Sequence, residues 1–234
     1  MIFFNRLSSN DKKKVLITGV SKGIGLALAK RLLSVGYLVE GTTKIGYIEN
    51  VQHENFHPIA LDVTNIKSIK KAYQEISDRF DQLDIIINNA GIGPDLNQKT
   101  LQITSFEETF EVNVKGVVLF TETFLAKIAE KGSVIMISSK MGSIDKCIDS
   151  DSVGYRTSKS ALNMYTKILA NRLSESIKVV AVHPGYVKTQ ISEIAMINGR
   201  LTPEQSAENI FSFLESDYKT GSFWDLEAGT ELPR

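Results

Sequence analysis

The sequence predicts an α/β fold: a doubly wound parallel sheet of about seven strands flanked by helices, in one domain. Three observations carry this. Short apolar runs alternate with helical patterns from end to end. The runs are apolar throughout rather than on every second residue, as expected of strands covered on both faces. The first run also empties into a glycine-rich turn that opens a helix, so the chain begins as a βα unit.

The elements follow in order. "KVLITG" (14–19) is a strand ending at glycine, and "GIGLALAKRLLSVG" carries apolar residues at helical spacing. "YLVEGTT" (37–43) and "FHPIALDVT" (56–64) read as the next two strands. In "IKSIKKAYQEISDRF" (66–80) the apolar positions 66, 69, 73, 76 and 80 form one stripe of a helix with a charged outer face. "LDIIINNAG" (83–91) is a buried strand, a helical stretch covers roughly 104–130, and "GSVIMISS" (132–139) is another strand. A long helix runs from about 152 to 175 with Leu162, Tyr165, Leu169 and Leu173 on one side. "IKVVAVHPG" (177–185) ends in a Pro-Gly turn, Pro203 opens a helix to about 215, and "GSFWDLE" (221–227) is the last strand.

Composition sets the outer limits. The 234 residues are 42% hydrophobic and 23% charged with a formal net charge of +0, so no basic field points to nucleic acid or an acidic membrane. The single cysteine, Cys147, excludes an internal disulfide and suits a reducing compartment. After Met1 only three apolar residues stand in a row, too few for a signal-peptide core, and no run approaches the ~18 needed to span a membrane. The expectation is a cytoplasmic protein with a short N-terminal extension (1–12) ahead of a single domain (13–234). His53 and His57 lack partners at metal-ligand spacing, so no metal is expected.

The turn "TGVSKGIG" (18–25) has the chemistry of a phosphate cradle. Gly19 can turn sharply after the strand, Gly23 admits close approach of a ligand, and Gly25 permits tight packing of helix on sheet. With Ser21, Lys22 and Ile24 these residues surround a helix start whose free N–H groups attract an anion. A glycine-rich turn without ligand is the alternative. At the end of the second strand an acidic residue would bind a ribose 2′-OH, but the chain there reads Thr42-Thr43-Lys44, with Glu40 inside the strand. Thr43, Lys44 and Lys22 are therefore placed for a 2′-phosphate, which favours NADP(H) over NAD(H), although each lysine could be an ordinary solvated one.

Joined to that cradle are "NNAG" (88–91), Asn113 in "VNVKG", Ser139 in "ISSKMG", Tyr155 and Lys159 in "YRTSK", and "HPGYVKT" (183–189). In this order the motifs resemble the short-chain dehydrogenase/reductase family, over nearly the whole chain. "GYRTSKSALNMYTK", "VVAVHPGYVKT" and "GSFWDLEAGTELP" resemble its C-factor/sniffer-like carbonyl reductase branch. The resemblance implies a Rossmann fold. It also implies that Asp62 and Val63 bind the adenine edge, and that Asn89, Ala90 and Gly91 border the adenosine ribose. Pro184, Gly185, Val187 and Thr189 would hold the nicotinamide end.

The implied catalytic residues are Asn113, Ser139, Tyr155 and Lys159. Tyrosine is a weak acid–base catalyst unaided because its pKa is ~10, and a cation one helical turn away can lower it by roughly 1–3 units. Lys159 is so spaced, and both it and Tyr155 would also touch the cofactor. Ser139, or Ser138 if the register slips by one, would hydrogen-bond the reacting oxygen. Asn113 would fix a water linking Lys159 to solvent. The implied reaction is NADPH-dependent reduction of an aldehyde or ketone to an alcohol. A nucleotide-binding signalling protein of C-factor type is the alternative from another class, and epimerisation or dehydration on the same scaffold is a third.

Two departures from the family pattern bear on the substrate. The spacing from Ser139 to Tyr155 is long, so the loop "KMGSIDKCIDSDSVG" carries extra residues, Cys147 among them. The segment 190–203, where the family places its lid, is short; it predicts an open cleft with Ile191, Ile194 and Met196 against an apolar substrate. His183 is expected to pack locally rather than to catalyse. A homodimer or tetramer through the long helices and the final strand is compatible with the sequence, as is a monomer.

Overall fold

The computed structural model describes residues 12–49, 51–173 and 176–234; the expected N-terminal extension lies outside it apart from Lys12. Eight strands form one sheet: β1 (Lys14–Ile17), β2 (Leu38–Thr43), β3 (Phe56–Ala60), β4 (Leu83–Asn88), β5 (Ile128–Ile137), β6 (Lys178–His183), β7 (Phe223–Asp225) and β8 (Thr230–Glu231). Their spatial order is β3-β2-β1-β4-β5-β6-β7-β8. All neighbours are parallel except β7 and β8, which pair antiparallel. The order reverses between β1 and β4, and at such a switch point the loops leaving the two strands diverge and open a crevice.

Helices cover both faces of the sheet. On one side α1 (Gly23–Ser34) and α7 (Pro203–Leu214) pack over Val15, Ile17, Ile87, Val180 and Val182. On the other, α2 (Ile66–Ser77), α4 (Val117–Phe124) and α5 (Val153–Leu173) cover Leu16, Ile86, Val134 and Ala181. Neighbouring residues of β1 thus serve opposite cores, which is why that strand is apolar without alternation. Local signals set several boundaries. The Asn65 side chain accepts from the N–H groups of Lys67 (2.9 Å) and Ser68 (3.3 Å) to start α2. Thr202 and Gln205 form a reciprocal capping box around Pro203 at the start of α7. Among the described residues, no helix is long and apolar enough to cross a membrane.

The stretch expected to be helical over 104–130 is divided. It comprises α3 (Ile103–Phe110), a π-helical turn (Glu111–Gly116), α4 and a 3-10 turn (Leu125–Lys127). Strand β5 then begins at Ile128, four residues earlier than its apolar run, because Ile128 pairs with Leu83 across a register shift. Tertiary pairing overrides the local pattern there. Two elements had no clear sequence signal: the short helix α6 (Glu193–Asn198) and strand β8, reached through a turn in which Gly229 has φ +68°.

Candidate active site

The crevice at the switch point is a cleft of about 1160 Å³. Its floor is the junction between the loops after β1 and β4. The Thr18 hydroxyl accepts from the N–H groups of Asn89 and Ala90, both at 3.0 Å, while Asn89 Nδ2 donates to the carbonyls of Thr18 and Gly19, both at 2.9 Å. A Cβ on Gly25 would lie 2.3 Å from the Gly19 oxygen and 2.4 Å from Asn89 Nδ2, so this position admits only hydrogen. Gly19 and Gly23 have φ +72° and +59°, in the left-handed region that favours glycine. The helix that follows starts at Gly23, and no side chain caps it. Its first N–H groups are therefore available to an anion in the cleft. Ser21, Lys22, Ile24 and Ala90 line the same end.

At the end of β2, Thr42, Thr43 and Lys44 reach the cleft wall beside Asp62, Val63 and Thr64. Lys44 Nζ lies 3.9 Å from the Asp62 carboxylate. The Thr64 hydroxyl (2.7 Å) and N–H (3.0 Å) both donate to Asp62, and with Lys44 beyond they hold its pKa below the usual range. Glu40 is absent from this wall. It is buried on β2, where Arg79 binds it through two nitrogens at 2.7 and 3.1 Å and His57 approaches to 3.5 Å. Across the cleft, Lys22 Nζ donates to Gln190 Oε1 at 2.6 Å.

At the other end, Tyr155 and Lys159 sit one turn apart on α5, both buried side chains on the cleft wall. The Lys159 ammonium donates to the Ile137 carbonyl at 3.0 Å and lies 5.6 Å from the centre of the Tyr155 ring. Burial dominates both groups. It pushes the Tyr155 pKa up to about 12, against the opposing pull of the Ser139 hydroxyl, and pushes Lys159 down to about 8. The Asp95 carboxylate raises the phenol further, and Lys159 is not among the groups that shift it in the protein alone.

The choice between the two serines follows from their partners. Ser138 lines the cleft, but its Oγ donates to Asn163 Oδ1 at 2.6 Å, so the hydroxyl hydrogen is already engaged. Ser139 is the hydroxyl that bears on the Tyr155 phenol. Asn163 was not singled out by sequence, yet its Nδ2 also donates to the Gly142 carbonyl at 3.1 Å. It therefore fixes the chain on both sides of Ser139.

Asn113 lies in the π-helical turn, fully buried. Its Oδ1 accepts from the Ile92 N–H at 2.9 Å, and its Nδ2 donates to the Ile92 carbonyl (2.8 Å) and to Ser158 Oγ (3.2 Å). Both amide hydrogens are committed to protein. A Cβ on Gly91 would meet Asn113 Oδ1 at 3.2 Å and Lys159 Nζ at 3.5 Å, so these two side chains flank one backbone position.

Pro184 and Thr189 line the cleft, and Thr189 covers Gly23, whose Cβ would lie 3.5 Å from it. Gly185 and Val187 lie behind the wall: Gly185 has φ +96° and packs on Leu201, while Val187 is bridged to Leu201. Of the three apolar residues expected to face a substrate, Ile191 and Met196 line the cleft, while Ile194 lies outside its wall and is 43% exposed. This segment is held from the last turn of the sheet. Arg200 binds Glu227 through two nitrogens at 2.5 and 2.9 Å, and Glu227 accepts from the Tyr186 N–H at 2.9 Å. Arg200 drives the Glu227 pKa down to about 2. His183 is neutral at ordinary pH, since burial pushes it down to about 4, and its Nδ1 has no hydrogen-bond partner among the described residues. Cys147 is exposed.

The profile of the short chain dehydrogenase family matches residues 13–196. Among relatives, the 3-oxoacyl-(acyl-carrier-protein) reductase FabG of Aquifex aeolicus is 30% identical, over 93% of this chain and 96% of its own. Carbonyl reductase Sniffer of D. melanogaster superimposes with a TM-score of 0.84 at 26% identity, covering 95% of this chain and 100% of that one. The NADPH-bound carbonyl reductase from chicken fatty liver gives 0.82 at 27%, covering 95% and 99%. With a match over most of its length and this arrangement at the sheet's switch point, the chain belongs to the short chain dehydrogenase family.

Proposed function

We propose that this protein is an NADP(H)-dependent reductase that converts an aldehyde or ketone to its alcohol, with Tyr155 as the proton donor. The observation that carries the reading is the pairing, in one cleft, of an uncapped helix start behind Gly19 and Gly23 with a buried Tyr155–Lys159 pair. The first is a seat for phosphate and the second an acid beside a reacting carbonyl. The glycine cradle fits a dinucleotide, since Gly25 fills its available volume and the left-handed glycines keep side chains out of the anion's path.

When bound, the reduced nicotinamide supplies the hydride. The protein's own part is to hold the carbonyl and to deliver a proton to its oxygen. A phenol with a pKa near 12 is fully protonated at neutral pH, the form a reductase needs as donor. The Ser139 hydroxyl stabilises the charge growing on the same oxygen. Lys159, cationic below about pH 8, stabilises the phenolate left behind. Ile92, Pro94, Ile191 and Met196 give the nearby walls an apolar character, which suits a carbonyl on a hydrophobic body. The preference for NADP(H) rests on Lys22 and Lys44 and on the withdrawal of Glu40 from the wall.

The test follows NADPH and NADH consumption in parallel over a panel of aldehydes, ketones and diketones. The expected result is turnover with NADPH preferred, and loss of roughly 10²–10⁴-fold in kcat for Tyr155→Phe with cofactor binding intact. Tight cofactor binding with no turnover of any carbonyl overturns the assignment in favour of a nucleotide-sensing role.

A further inference from the structure

The first turn of α5 carries Tyr155, and its orphan N–H groups are not capped by a residue of its own strand of chain. Ser152 precedes the helix, but its hydroxyl donates to Asp151 Oδ1 at 2.8 Å and accepts from the Asn97 N–H at 2.8 Å. The cap arrives from the loop after β4. The Asp95 carboxylate, 4% exposed, accepts from the Gly154 N–H at 2.6 Å and from the Tyr155 N–H at 3.1 and 3.2 Å. A carboxylate at a helix N-terminus satisfies donors that would otherwise be buried unpaired and complements the positive end of the helix dipole.

The loop bearing Asp95 is also a wall of the cleft. Ile92, Gly93 and Pro94 line it, and a Cβ on Gly93 would come within 3.0 Å of Tyr155 Cδ2. Residues 93–98 form a tight turn, with Leu96 N–H on the Gly93 carbonyl (3.2 Å) and Gln98 N–H on the Asp95 carbonyl (3.0 Å). A second tie runs beside the cap, from the Ser152 N–H to the Gln98 carbonyl at 2.9 Å. There is no room for a larger residue under the carboxylate: a Cβ on Gly154 would lie 3.0 Å from Asp95 Oδ2.

We propose that Asp95 is a positioning residue, whose carboxylate pins the first turn of α5 to the 92–94 wall and so fixes the depth of the Tyr155 phenol beside the reacting carbonyl. The catalytic part of this statement rests on the reductase reading above. Three groups bear on the phenol: Ser139 from the end of β5, Lys159 from the next turn of α5, and Asp95 from the loop after β4. The Asp95 charge acts in the same direction as burial and keeps the phenol protonated. One carboxylate thus holds the donor in place and adds to the burial that keeps it protonated.

The variant Asp95→Asn removes the charge while leaving an acceptor oxygen for the helix, and Asp95→Ala removes both. For Asp95→Asn we expect a folded protein with unchanged NADPH affinity and kcat lower by on the order of 10- to 100-fold. Labelling tyrosine with ¹³C at Cζ, with Tyr155→Phe to assign the signal, gives a readout independent of turnover. Followed from about pH 8 to about pH 11, the Tyr155 signal should hold its protonated position in the wild type and begin to titrate in Asp95→Asn. An unmoved titration together with wild-type kcat in Asp95→Asn overturns the proposal, whatever Asp95→Ala does to folding. If the wild type turns over no carbonyl, the reductase reading fails, and the titration still decides whether Asp95 governs the phenol.

Discussion

Asn113 and the backbone of Ile92 close a two-way hydrogen bond, N–H to Oδ1 at 2.9 Å and Nδ2 to carbonyl at 2.8 Å. The amide thereby acts as a splint between the π-helical turn and the loop that walls the cleft. A π turn is a costly irregularity that tends to persist where function needs a residue re-aimed. Here it turns Asn113 inward, beside Gly91 and Lys159. Its two amide hydrogens are engaged by the Ile92 carbonyl and Ser158, so any water between Lys159 and solvent would meet other atoms of this turn.

Asn113→Ala should therefore act through structure as well as chemistry. It strands the Ile92 N–H and carbonyl, and a loss of about 1–3 kcal/mol in unfolding free energy is expected. Denaturant unfolding measures this, and kcat should fall in parallel as the Ile92 wall loosens. Full stability with reduced kcat would show that Asn113 acts on the reaction alone.

Gly25→Ala should damage the cradle. The added methyl would clash with both the Gly19 carbonyl, which is backbone, and the Asn89 amide, which two hydrogen bonds hold in place. Overpacking of this kind costs typically ~1–3 kcal/mol. Binding of NADPH, read by quenching of protein fluorescence, should weaken more than that of a substrate analogue, because the distortion falls on the phosphate end.

Lys22→Ala and Lys44→Ala test the cofactor preference. If their ammonium groups meet a 2′-phosphate, each variant should lose on the order of 10-fold in NADPH affinity while NADH affinity stays within a factor of about two. Equal losses for both cofactors would assign the lysines to the shared pyrophosphate or to the cleft rim, where Lys22 already holds Gln190.

Lys159 gives a stability prediction with a definite sign. Its folded pKa of about 8 lies below the ordinary lysine value of 10.5, so between these values the unfolded chain binds the extra proton. Stability should rise with pH across that window, and the penalty should be fully present below it. Lys159→Met removes a buried charge and should stabilise the protein at pH 7 by ~3 kcal/mol while abolishing turnover. Thermal melts of both forms from about pH 7 to about pH 10 should converge as the pH rises. Parallel curves would mean that the ammonium is solvated.

Much of the fold was legible because its strands declare themselves locally. "LDIIIN" and "VVAV" have one physical use, a strand buried on both faces, and the glycines of 19–25 announce a turn that other residues cannot make. The Tyr155–Lys159 spacing and the lack of a carboxylate at the end of β2 were equally readable. Less legible was anything whose partner lies far along the chain. Asp95 and Asn163 look like loop and helix-surface residues until folding brings Gly154, Tyr155, Ser138 and Gly142 to them. The π turn left no period of its own, and β5 began early because Leu83 offered a partner.

The sequence by itself determined the sheet, the phosphate-binding turn and the spacing of the tyrosine and lysine, since each depends on side-chain size, backbone freedom or helical periodicity within a few residues. Tertiary structure alone decided that Ser138 is engaged by Asn163, that Glu40 is spent on Arg79, and that burial pushes the Tyr155 pKa up rather than down. Those outcomes turn on desolvation and on hydrogen bonds between distant segments, quantities that exist only once the chain has excluded water from the space they share.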